Sequence, residues 1–181
     1  MYIAEQLKKN NIAEYLLYMW QVEDTLRAYG LDADKMADEY IPQFKLDEEK
    51  SERLKGWYES LIEMMRQENV TEKGHLQVNN NILVLLTDLH MQLLKSSKHP
   101  FYSAAYYKTL PFIVELRNKS TESQEKNELE NCFDALYGMM LLRTQKKEVS
   151  AETATAIDHM AKLLGMLSNY YKKDKAGELE F

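Results

Sequence analysis

The sequence predicts an all-α fold, a single-domain helical bundle of six to seven mostly antiparallel helices, and three observations predict it. The run Ile12-Ala13-Glu14-Tyr15-Leu16-Leu17-Tyr18-Met19-Trp20-Gln21-Val22 is apolar around almost its whole circumference. A helix of that kind must be enclosed by others. Five consecutive apolar residues, Ile82 to Leu86, repeat the signal in mid-chain. Finally, only six Gly and three Pro punctuate 181 residues, whereas sheet and loop architectures use both heavily.

Each element follows in order. The first helix starts at Asn11, with Glu14 placed as a capping-box partner, and ends at Gly30. There a left-handed residue lets Leu31 close a Schellman motif on Leu26. A short element over 34–41 is stopped by Pro42. The next helix opens at Asp47, with Glu48 and Glu49 in its first turn, and runs to about Asn69 on a stripe of Leu54, Trp57, Tyr58, Leu61, Ile62 and Met65. A fourth helix covers roughly Glu72 to Ser97.

A fifth starts near Pro100, a favourable first-turn residue, and should kink or break at Pro111. The sixth opens on the capping box Thr121-Glu-Ser-Gln124 and carries Leu129, Cys132, Phe133, Leu136, Met139 and Met140. The seventh follows Ser150 as N-cap and buries Ile157, Met160, Ala161, Leu164 and Leu167. Residues 1–181 thus read as one domain with a frayed tail from about 173.

Composition limits function more than it defines it. The net charge of −6 and basic clusters confined to expected helix ends argue against nucleic acid. No window reaches the ~20 apolar residues of a membrane span, and the N-terminus has no secretory pattern. Cys132, the one cysteine, reads as a small core residue in a reducing compartment. The cytoplasm is the expected location. Nucleophile-elbow, Walker and dinucleotide motifs are absent. A lone Glu72-Lys-Gly-His75 is half of what a di-iron carboxylate bundle requires. No cofactor and no metal are expected.

Polar residues on apolar helix rows are the remaining candidates. Asn79 stands in line with Leu83, Leu86 and His90, since eleven residues make about three turns. Glu23 interrupts the row Ile12, Leu16, Met19 and Leu26. A carboxylate there must be paired, protonated or exposed. Glu23, Asn79, Asn80 and His90 therefore form the candidate polar pocket. If Glu23 lies beside His90, they make an acid–base pair. If the two face different surroundings, the shared pocket fails. The alternative reading is a set of core polar groups satisfied by carbonyls or tyrosines.

Twelve Tyr and ten Met suit adaptable binding surfaces. The adjacent pairs Met64-Met65, Met139-Met140 and Tyr170-Tyr171 cannot each turn both members to one neighbour. Several such residues at the surface would mark a homodimer interface. The leading expectation is a non-enzymatic protein-interaction or regulatory module, a homodimer or the binder of another protein. The second is a small-molecule-binding or catalytic bundle.

The opening residues, Met1-Tyr-Ile-Ala-Glu-Gln-Leu-Lys-Lys-Asn-Asn-Ile-Ala-Glu-Tyr-Leu-Leu-Tyr-Met-Trp-Gln-Val-Glu-Asp-Thr-Leu-Arg-Ala-Tyr-Gly-Leu-Asp32, resemble the start of a bacterial domain-of-unknown-function family of short all-helical proteins. The resemblance implies a small cytosolic bacterial protein with no assigned activity. It carries over no catalytic residue.

Overall fold

A computed structural model describes residues 1–119 and 121–181. Among the described residues there are nine α-helices, one 3-10 turn and no strand, against the six to seven helices expected. They are α1 (Tyr2–Asn10), α2 (Ile12–Ala28), α3 (Ala33–Glu39), the turn Ile41–Phe44, α4 (Glu48–Gln67), α5 (Gln77–Lys95), α6 (Pro100–Arg117), α7 (Thr121–Glu125), α8 (Glu128–Thr144) and α9 (Ala151–Lys175). Among the described residues the buried apolar side chains, Met139 apart, form one cluster to which every helix except α7 contributes.

Caps explain most boundaries. Asn11 closes α1 and opens α2, its side chain accepting from the Glu14 N–H at 3.2 Å and donating to Glu14 Oε1 at 2.8 Å. The additional helix α1 ends where the sequence places only a beginning. Asp32, Asp47, Asn127 and Ser150 cap α3, α4, α8 and α9 in the same way, each satisfying one orphan N–H.

The Schellman closure at Gly30 is present. The Leu31 N–H donates to the Leu26 carbonyl and the Gly30 N–H to the Arg27 carbonyl, both at 2.9 Å, with Gly30 at φ +72. The same pair of bonds ends α4 at Asn69 and Val70, α8 at Lys146 and Lys147, and α9 at Gly177 and Glu178. Lys146 adopts φ +55, a conformation that costs an L-residue about 1 kcal/mol.

Three boundaries depart from expectation. Helix α5 begins at Gln77 rather than near Glu72, because Gly74 turns the chain with φ +84 and residues 70–76 are bonded from outside, as described below. The expected sixth helix is two: α7 and α8 separate around Lys126, and Asn127 restarts the helix. The capping box spans Glu122, whose side chain is outside the described residues, and Thr121 is itself the first residue of α7. Helix α6 runs unbroken through Pro111. The Tyr107 carbonyl that Pro111 cannot serve lies on an exposed face, where water can bond it.

Burial corrects the expected α9 face, where Leu163 is buried and Ala161 exposed. The segment expected to fray continues helically to Lys175, and the chain then returns to the turn before α6. There the Glu180 carbonyl lies 2.8 Å from His99 Nε2, and Leu179 packs on the core.

Candidate functional site

The row on α2 is buried as the spacing predicts, and Glu23 is buried with it, at 0% exposure. Its carboxylate points at the start of α5. Oε1 accepts from the Leu76 N–H at 3.0 Å and from Asn79 Nδ2 at 2.7 Å, and Oε2 lies 2.6 Å from His75 Nδ1. Leu76, the N-cap of α5, has no side-chain oxygen to offer. Glu23 supplies the missing acceptor from another helix and places negative charge near the positive end of the α5 dipole. Glu68 does the same for the Gln77 N–H at 2.6 Å.

The segment leading into α5 is fastened along its length. Arg27 bonds the Val70 carbonyl at 3.0 Å and the Gly74 carbonyl, and pairs with Asp24 at 2.7 Å. Tyr137 of α8 donates to Asp24 at 2.6 Å. Asn80 donates to the His75 carbonyl at 3.1 Å. Trp20 stacks on the His75 ring, centroids 4.1 Å apart and planes 11° from parallel. Trp20 Nε1 and Asn79 Oδ1 are buried without a partner among the described residues. Chemically this cluster is a helix cap built from tertiary contacts.

His90 belongs to a second cluster, about three turns along α5 from Asn79. It is 3% exposed and its Nδ1 lies 2.6 Å from the Tyr102 hydroxyl. Burial holds the imidazole well below the usual histidine range, to about 4, so the ring is neutral at pH 7. Tyr106 packs edge-on against it with centroids 5.1 Å apart, and donates from its hydroxyl to Glu128 at 2.7 Å. Burial and the Glu128 carboxylate both push the Tyr106 hydroxyl upward. Cys132 is buried, and the same influences push its thiol up to about 12, which leaves it a packing residue with no thiolate to use.

The expected pocket is therefore divided. Glu23, Asn79 and Asn80 come together, but around His75. His90 joins Tyr102, Tyr106 and Glu128 instead, and no hydrogen bond links it to Glu23. The acid–base pair Glu23–His90 is not formed. Sequence reasoning missed His75, which it weighed only as a metal ligand, and missed Tyr106 and Glu128, which no local spacing connects to His90. Among the described residues no group of three or more His, Cys, Asp or Glu converges to hold a metal ion.

The surplus apolar surface also lies elsewhere than the paired methionines suggested. Met65 and Met139 are buried, with Met64 and Met140 half-buried. The exposed apolar residues concentrate on α6, where Phe101 is 81% and Tyr107 65% exposed, with Val114 beside them, and on α5 at Val84, Leu85 and Met91. Among the described residues, no helix is long and apolar enough to cross a membrane.

A family model described as a domain of unknown function (DUF4924) matches residues 1–178, and the chain belongs to that family. Comparisons with curated proteins and with solved structures give no match.

Proposed function

We propose that this protein is a non-enzymatic interaction module that works as a homodimer, paired through the outward face of α6. The observation that carries the reading is the exposed row Phe101, Ala104, Tyr107, Pro111 and Val114. Its steps of three and four place all five on one side of the helix. Single exposed apolar residues are ordinary, but a row along a helix marks a contact surface.

A second copy is the occupant the row fits, because antiparallel pairing sets apolar residues against apolar residues at both of its ends. About a two-fold axis at the middle of α6, Phe101 meets Val114 of the second copy, Ala104 meets Pro111, and Tyr107 meets Lys108. The first two pairs are apolar and the third sets an ammonium against an aromatic ring. The location we assign is the bacterial cytoplasm. Support comes from a lone free thiol, Cys132, held in the core, where no oxidising compartment is needed.

Light scattering on the purified chain at micromolar concentration tests the reading. It should return the mass of a dimer, and Phe101→Asp combined with Tyr107→Asp should return that of a monomer with unchanged helicity. A native chain that remains monomeric overturns it.

A further inference from the structure

Between α5, α6 and the start of α8 lies a cavity of about 350 Å³, lined in part by His90, Met91, Leu94, Tyr106, Arg117 and Glu128. An apolar cavity of about 150 Å³ holds a benzene ring, so this one has room for a ring and its substituents. Three features give it chemical direction.

The first is a fixed donor. Tyr102 is sealed, and among the described residues its hydroxyl hydrogen has no acceptor other than His90 Nδ1. The imidazole proton is thereby placed on Nε2, which has no hydrogen-bond partner among the described residues. A histidine this buried with an unused donor, lining a cavity, is a group kept ready for an acceptor.

The second is an unshared acceptor. Glu128 Oε2 is taken by Tyr106, whereas among the described residues Oε1 has only Arg117 Nη1 at 4.0 Å, beyond hydrogen-bond reach. The Tyr106 ring bridges the two groups, touching His90 along its side and Glu128 at its hydroxyl.

The third is charge balance. Arg117 and Glu128 cancel and His90 is uncharged, so a charged ligand would enter without a matched counter-ion. The aromatic and aliphatic walls supply the area for a flat apolar body.

From these we infer that the cavity binds a small, net-neutral aromatic or cyclic molecule carrying an amide-like group, its carbonyl accepting from His90 Nε2–H and its N–H reaching toward Glu128. Two other recesses do not offer this. The wide one between Gly30–Asp34 and α4 is lined by several carboxylates, and the one between α6, α8 and α9 encloses only about 80 Å³.

Benzamide is the probe, with toluene, benzoate and benzylammonium as controls, and the readout is NMR shift perturbation of the His90 and Tyr106 ring signals. Benzamide should saturate with a Kd on the order of millimolar, as suits a molecule of its size. The three controls should each bind at least tenfold more weakly. His90→Phe should reduce benzamide to the level of toluene. Met91→Trp fills the cavity from its exposed mouth without touching the buried hydrogen bonds, so it supplies the test should His90→Phe not fold. Its affinity for benzamide should drop at least tenfold with an unchanged melting curve. Failure of benzamide to saturate, benzoate or benzylammonium binding as well as benzamide, or Met91→Trp binding normally would each overturn the inference.

Discussion

Two buried polar clusters sit on α5, about three turns apart, and differ in what they leave unused. Around Glu23 both carboxylate oxygens are engaged, and they are engaged by the start of a helix and the segment before it. Around His90 the protein takes one ring nitrogen and turns the residue toward a cavity. Burial of an ionisable side chain is common to both. What separates an architectural group from one suited to a ligand is whether its hydrogen-bonding capacity is spent inside the fold.

The largest effect expected is at Glu23. Glu23→Leu would strip acceptors from Leu76, His75 and Asn79 together and should cost on the order of 4 kcal/mol in urea unfolding. Glu23→Gln keeps Oε1 and should recover most of that. Equal losses from the two substitutions would break the view of Glu23 as a helix cap.

Acid tests the other cluster. His90 titrates near 4 in the folded chain and at about 6.5 in the unfolded one, so between those values the unfolded state binds the additional proton. Its contribution to stability is intact above pH 6.5 and declines as pH falls toward 4, by roughly 3 kcal/mol in all. His90→Gln should flatten that part of the stability–pH curve, and an unaltered slope would show that His90 is not held neutral.

Tyr102→Phe sharpens the contrast further. It leaves Nδ1 buried without its partner, at a cost of about 2 kcal/mol, and it frees the proton to occupy either nitrogen. Nitrogen NMR should show one tautomer in the native chain and a mixture in the variant. The smallest effect is expected at the border of the cavity, where Asn127→Ala removes the N-cap of α8 for about 1 kcal/mol. Its thermal shift should be matched by Ser150→Ala on α9, which has no cavity beside it.

The helices were legible wherever a cap or a run of apolar residues wrote them into adjacent positions. Asn11, Asp47, Ser150 and the Gly30 closure are local events, decided within about six residues. The segment before α5 was not legible. Residues 72–76 carry no strong helix breaker except Gly74, and they stay irregular because Arg27 and Glu23, some fifty positions away, bond them there. Helix α1 was hidden by the same residue that marked α2, since Asn11 ends one element as it begins the next.

The candidate site divides along the same line. That Glu23 and Asn79 needed partners could be read from their apolar rows, and the structure supplies them. Which partners they were could not, because His75 reaches Glu23 and Tyr106 reaches His90 only through the packing of separate helices. Periodicity identifies the face a residue occupies and leaves open what stands opposite.

Asn11 has one more bond, from Ser168 on α9 at 2.7 Å. The corner joining the first two helices is thus latched by the last one, across 157 positions of chain. During synthesis that latch cannot close until α9 has left the ribosome. The part of α2 that packs on α9 must therefore wait until the residues around Ser168 have emerged, a delay in which chaperones have both the opportunity and the exposed surface to engage it.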